Sequence, residues 1–184
     1  METSFLPPLY IRADATTNIG TGHVMRCIAL SQAWKDKGGQ VVFISHCESK
    51  KLQERIIAEG FDFIYIENPH PHPADLDKTI ETLSTMNYPP STNDWLVVDG
   101  YHFDSMYQKK IKEAGYRLLW IDDYGHADRY YADIVLNQNI SAEESFYNRR
   151  EPTTLLLLGT RYVLLRRDFR QWQGWQREIP DTAK

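Results

Sequence analysis

The sequence predicts an α/β protein built on a doubly wound, mostly parallel sheet of Rossmann-like type. Two observations lead there. Short apolar runs alternate with longer amphipathic ones along nearly the whole chain. The most apolar of the short runs, such as DWLVVDG (94–100), are continuous, as in strands covered on both faces. A length of 184 residues fits one compact domain, and a composition 42% hydrophobic and 12% aromatic supplies a core.

LYIRAD (9–14) reads as the first strand, and Gly22 to about Lys37 as the first helix. QVVFISHC (40–47) is a strand, Lys50 to Glu59 a helix, and DFIYIE (62–67) a strand. After a proline-rich turn a helix begins near Ala74. The strand DWLVVDG follows, then a helix from Asp104 to Ala114 capped by Gly115, then the strand RLLWIDD (117–123). DIVLNQ (133–138) and TTLLLLG (153–159) complete the strands. Right-handed crossovers between parallel strands place loop 15–22 and the strand ends near Asp99 and Asp122 on one rim. The tail after Phe169, RQWQGWQREIPDTAK, has no strand pattern and carries Trp172 and Trp175. It reads as a helix or linker whose apolar groups seek a partner, so residues 1–168 form the domain and 169–184 lead away from it.

Composition removes several classes of function. The net charge is -4 and there is no basic block, which argues against a phosphate-tracking nucleic-acid surface. No apolar run approaches the ~20 residues of a membrane-spanning helix. METSFLPPLY lacks the basic and apolar regions of a secretory signal, so a cytoplasmic location is expected. Cys27 and Cys47 lie outside any CxxC pair and read as reduced, buried thiols.

The segment richest in chemistry is IRADATTNIGTGHVMRC (11–27). In open parallel sheets, ligands bind beyond the carboxyl ends of strands, and this is the first strand-to-helix loop. Thr16, Thr17, Asn18, Gly20 and Gly22 lead into a helix that opens with His23. Glycines allow close backbone approach, and a helix start offers free N–H groups and a positive dipole end. GTGHVM lacks the third glycine of a dinucleotide fingerprint and the Lys-Ser/Thr of a Walker loop. The dipole and Arg26, one turn on, both disfavour an imidazolium at His23. A neutral histidine there can take a proton from water, as a general base does. The plainer reading is a helix cap for His23 and a solvated ion pair for Arg26.

Other residues are open. HPHP (70–73), with Asp75 and Asp77 nearby, reads as solvated loop histidines rather than metal ligands, since metal sites need three or four convergent groups. Asp122 and Asp123 end a strand and either face a ligand or cap a turn. Asn137 and Asn139 either contact a ligand or fix a turn. His102 and His126 carry no independent case.

Four segments in order resemble one family. They are IRADATTNIGTGHVMRC, VVDGYHFD (97–104), LLWIDDYGHADRYYADIVLNQN (118–139) and LLLGTRYVLLRRDF (156–169). The family is the UDP-2,4-diacetamido-2,4,6-trideoxy-β-L-altropyranose hydrolases of pseudaminic acid biosynthesis, with relatives in spore-coat polysaccharide synthesis. Its members have the GT-B architecture of two Rossmann-like domains facing across a cleft. The resemblance covers the first domain; the second, which holds most of the nucleotide in a Gly-Gly-containing loop, has no counterpart in this sequence. The resemblance implies attack of water at the anomeric carbon, release of UDP and inversion. His23 matches the general base and Tyr101 a tyrosine of the sugar pocket. Substrate contacts are implied at Arg12, Asp14, Gly20, Thr21, Gly22, Arg26, Asp99 and Asn137, with no metal or other cofactor. A UDP-sugar and a second GT-B-like domain, in the same or another chain, are the implied partners. A glycosyltransferase of similar architecture is the main alternative, with an acceptor hydroxyl in place of water. GTGH does not separate the two, whereas Arg12-x-Asp14 with Asp99-x-Tyr101 favours the hydrolase. A non-catalytic module that binds a sugar or a protein is the third reading.

Overall fold

The computed structural model describes residues 6–86 and 94–176. Within them seven strands form one sheet: β1 (Leu9–Ala13), β2 (Val41–Ser45), β3 (Asp62–Tyr65), β4 (Trp95–Asp99), β5 (Arg117–Ile121), β6 (Ile134–Asn137) and β7 (Leu155–Leu158). The order is β3-β2-β1-β4-β5-β6-β7 and every pairing is parallel. The helices are α1 (Gly22–Asp36), α2 (Lys50–Ala58), α3 (Pro73–Thr85) and α4 (Ser105–Glu113). This is the expected doubly wound, Rossmann-like sheet. Each strand is shorter than the apolar run that predicted it, and the residues that leave the ladder are mostly polar. Asp14, Asp122 and Asp123 thus sit just beyond strand ends, where loops can use their side chains.

Two apolar layers cover the sheet. On one face Tyr10, Val42, Leu96, Val98, Leu118 and Trp120 pack with α3 and α4 through Leu83, Tyr107 and Ile111. On the other, Ile11, Phe43, Val97, Ile121 and Leu136 pack with α1 and α2 through Val24, Ile28, Leu52 and Ile56. The β5–β6 and β6–β7 crossovers contain no α-helix. Buried Tyr130 and Tyr147 anchor these loops, in T-shaped contact at 5.0 Å. The chain moves outward from β1 to β3, then returns to place β4 on the other side of β1. That reversal opens a crevice beyond the carboxyl ends of β1 and β4.

Local chemistry explains the helix starts. Ser49 caps α2 by accepting from Leu52 N–H, and Asp104 caps α4 by accepting from Tyr107 N–H. His72 accepts from Ala74 N–H at the start of α3, where Pro73 needs no hydrogen-bond partner. The HPHP segment is therefore a helix start. Its other histidine, His70, packs near His102, Phe103 and Tyr107, and burial lowers its pKa. No cluster of three or more metal-binding side chains occurs among the described residues.

After β7 the chain turns back over the α1 side. Tyr162 and Leu164 join that core, Arg167 N–H donates to Gln32 at 2.8 Å, and Arg170 pairs with Asp36 at 2.7 Å. The expected boundary at 168–169 falls within a 3₁₀ turn, Arg167–Trp172. Trp172 and Trp175 remain exposed and meet edge to face at 5.9 Å. Residues 177–184 of the expected linker lie outside the described residues. No described helix is long and apolar enough to cross a membrane.

A buried ion cluster ties β1 to α3. Arg12 is fully buried and binds both Asp14 and Asp75, while its guanidinium lies 4.9 Å from the Phe103 ring centroid. Asp75 also accepts from the Tyr107 hydroxyl at 3.0 Å and from His70 N–H at 2.9 Å. Breaking a buried pair strands a charge, at a cost of about 3–5 kcal/mol. Arg12→Met leaves two buried carboxylates without their cation. We expect it to lower the urea unfolding free energy by about that amount, and a loss under about 1 kcal/mol would show the cluster to be dispensable.

Candidate active site

The rim beyond β1 and β4 gathers side chains far apart in sequence. Loop 15–20 is held tightly. Thr16 carbonyl accepts from Gly20 N–H at 2.8 Å, Thr16 hydroxyl from Ile19 N–H at 3.1 Å, and Glu48 from Thr17 N–H at 2.8 Å. Gly20 has φ +77°, which a side chain would resist. Unlike the other three helices, α1 has no side-chain cap, although Thr21 stands at the cap position. Its first N–H groups face a surface formed by exposed Gly20, Thr21 and Gly22.

His23 follows, with 7% of its surface exposed. Its Nδ1 lies 2.7 Å from Asp99 Oδ1 and 3.3 Å from Arg26 Nη2. The carboxylate accepts and is closer, so Nδ1 carries the proton and donates to Asp99. Nε2 is then the acceptor nitrogen. It has no hydrogen-bond partner among the described residues and is not among their sealed, unpaired polar atoms. Asp99 is fully buried and grips Arg26 in two bonds of 2.6 Å, from Nε and Nη2. Arg26 uses Nη1 to reach both oxygens of Asp123, at 2.7 and 2.9 Å. Asp123 accepts the Tyr101 hydroxyl, and the Tyr101 ring meets His23 edge to face at 4.7 Å. Burial and Asp123 together raise the Tyr101 pKa, so the hydroxyl stays protonated. Burial alone would raise the Asp123 pKa, but Arg26 and Tyr101 outweigh it and hold the carboxyl below its usual range.

Several expected substrate contacts have another place. Arg12, Asp14, Asp99 and Asn137 are fully buried and bond inside the protein. Asp14 takes Arg12, His46 N–H at 2.7 Å and His102 Nε2 at 2.9 Å. Asn137 donates to the Tyr147 hydroxyl at 2.9 Å and accepts from Asn139 N–H at 3.0 Å. They lie beneath the rim because their strands end below loops that cover them. Arg26 was counted as a charge pressing on His23; its charge is instead shared between two carboxylates. His23, Tyr101, Gly20, Thr21 and Gly22 do meet at the surface, on one rim as expected.

The sequence left Asp122 and Asp123 undecided, and the structure splits them. Adjacent residues at a strand end point to opposite faces. Asp123 turns to α1, while Asp122 accepts from Tyr124 N–H at 2.8 Å, Gly125 N–H at 2.9 Å and the Tyr130 hydroxyl at 2.6 Å. His126 Nδ1 lies 3.3 Å from Asp122, without hydrogen-bonding geometry. Burial pulls the His126 pKa down, and Asp122 with the Phe103 carbonyl more than offsets it, for a net rise. Tyr124 and His126 flank Tyr101, at 5.2 and 5.7 Å between ring centroids. Tyr124 had not been considered and His126 had been given no independent case, although both follow a strand end, a signal that marked other residues of the rim.

No family model matches the chain. An uncharacterized protein of Methanocaldococcus jannaschii is 26% identical over 165 residues, covering 86% of this chain and 31% of that relative. The chain thus spans 31% of the length of the curated relative it matches. Among solved structures, the crystal structure of Acinetobacter baumannii MurG is similar at a TM-score of 0.48 and 11% identity, over 82% of this chain and 44% of that one.

The buried carboxylates beneath the rim set a pH dependence. In Asp14 and Asp122 burial raises the pKa, but hydrogen bonds and charge partners outweigh it and leave both well below the ordinary 3.8. A depressed folded pKa contributes stability that is complete above the unfolded value and lost as pH falls through the folded one. His126, raised above 6.5, contributes in the opposite sense, and its share is lost as pH rises through its folded value. Urea unfolding free energy should therefore fall steeply below about pH 4 and only gently above neutrality. Asp122→Asn should flatten the acid limb; an unchanged acid limb in that variant would remove Asp122 from the account.

Proposed function

We propose that this chain is the base-bearing half of a two-domain enzyme acting on a nucleotide-activated sugar, with His23 as general base. The observation that carries the reading is the His23–Asp99 contact of 2.7 Å, which fixes the tautomer and leaves Nε2 as the acceptor at an open rim. Asp99 orients the ring and balances the imidazolium that forms, as the carboxylate does in other His–Asp pairs. The resemblance of four ordered segments to sugar-nucleotide hydrolases supports the substrate class.

In the proposed step, water lies against Nε2. Its oxygen attacks the anomeric carbon while its proton passes to Nε2. The carbon–oxygen bond to the diphosphate breaks, the electron pair leaves with UDP, and configuration inverts. Tyr101 borders the imidazole and the sugar. The uncapped start of α1, with Gly20, Thr21 and Gly22, offers N–H donors to oxygens of the substrate. Most contacts to the diphosphate belong to the second domain, because Arg26, the cation nearest the base, is fully engaged with Asp99 and Asp123.

A glycosyltransferase would use the same dyad, with an acceptor hydroxyl replacing water. The open rim favours it as a second reading: Tyr101 and Tyr124 are 46% and 55% exposed, which leaves space for an acceptor. Product analysis separates the two, since free sugar marks hydrolysis and a new glycoside marks transfer.

In a two-domain form, His23→Asn should cut turnover by about 100- to 10,000-fold, with substrate affinity within a few-fold. Near-normal turnover would leave His23 a structural cap. The chain alone should show weak or undetectable UDP binding by calorimetry, and micromolar affinity would move the nucleotide contacts into this domain.

A further inference from the structure

Five side chains close a circuit on the rim. His23 donates to Asp99, Asp99 accepts from Arg26, Arg26 donates to Asp123, and Asp123 accepts the Tyr101 hydroxyl. The Tyr101 ring then returns edge-on to His23. Proton transfer from water to His23 uses the first three members and gives Asp123 nothing to do.

We infer that Asp123 is a positioning residue: it holds the Tyr101 hydroxyl while gripping Arg26, and so fixes the tyrosine ring against the flank of His23. The inference rests on His23 acting as the base. Tyr101 is 46% exposed, and its hydroxyl has no other hydrogen-bond partner among the described residues. Without that bond, a half-exposed ring regains the rotamer freedom that ordering costs it. Asp123 is itself well held. Its Oδ1 accepts from Arg26 Nη1 at 2.7 Å and from Asn139 Nδ2 at 2.8 Å. Asn139 in turn donates to Asn137 Oδ1 at 3.1 Å, so the β6 end braces the carboxylate together with α1. The raised Tyr101 pKa fits this role, since a phenol that stays protonated acts as a tether.

A plain structural role for Asp123 would be to staple the β5 end to α1 through Arg26. The two accounts differ at the Tyr101 hydroxyl, which the staple does not need. The test uses the full chain, wild type against Asp123→Asn, Asp123→Glu and Tyr101→Phe, read by NMR contacts between Tyr101 ring protons and His23 ring protons. We expect those contacts to be lost or scattered in Asp123→Asn and in Tyr101→Phe, and partly restored in Asp123→Glu, with thermal midpoints close to wild type for Tyr101→Phe. Intact ring contacts in Tyr101→Phe would overturn the inference, even if Asp123→Asn fails to fold. In a two-domain form, Asp123→Asn should lower kcat by about 10- to 100-fold with KM within a few-fold; a change in KM alone would also overturn it. His23→Asn is run in parallel. Should it leave turnover near normal, the base reading falls, while the ring contacts still decide whether Asp123 places Tyr101.

Discussion

One buried carboxylate organises the rim. Asp99 ends β4 at the point where the strand order reverses, and among the described residues the donors to its side chain come from α1: His23, Arg26 and Cys27. A carboxylate with no exposed surface cannot be left without partners. The first two turns of α1 must therefore lie over β4 in one register, with His23 and Arg26 turned toward the strand end. The packing of Val24, Cys27 and Ile28 against the sheet, on the same buried face of the helix, agrees with that register. Fold and chemistry here are set by the same contact. A shift of α1 would expose its apolar stripe, break the ion pair and turn the imidazole away, all in one step.

The aspartates at and beneath the rim divide into two groups. Asp14, Asp75 and Asp122 are fully buried and spend their oxygens on loops, helix starts and Arg12. They shape the floor. Asp99 and Asp123 are joined through Arg26 and face the base. The division follows from the alternation of side chains at strand ends. Neighbours such as Asp122 and Asp123 must go to opposite sides, so one becomes part of the core beneath the α4 face and the other reaches α1.

The fold was legible because parallel strands leave a plain mark, a continuous apolar run closed by polar residues, repeated with helices between. The helices expected at Lys50–Glu59 and Asp104–Ala114 lie within a residue of α2 and α4. His23 and Tyr101 could be placed on one rim from the rule that loops after parallel strands share an edge. Partners could not. His23 and Asp99 are 76 residues apart, and Arg12 and Asp75 are 63 apart. Nothing local distinguishes an arginine that will meet a ligand from one sealed between two carboxylates. Arg12 and Asp14 were therefore expected among substrate contacts and lie under the floor. The HPHP segment reads in sequence as solvated loop histidines; what the pattern does not show is that His72 caps α3. Depth below the rim is the quantity a linear pattern does not carry.

Cys27 sits one turn behind His23, and its thiol lies 3.5 Å from Asp99 Oδ2. Burial and that carboxylate push its pKa well above the usual thiol value. Such a sulfur is inert toward alkylating reagents while α1 is seated, because both access and thiolate are lacking. It reacts when the helix start lifts and the carboxylate separates from it. Nature has thus left a chemical clock beneath the imidazole. The rate at which Cys27 is labelled reports how often this rim opens, independently of any substrate.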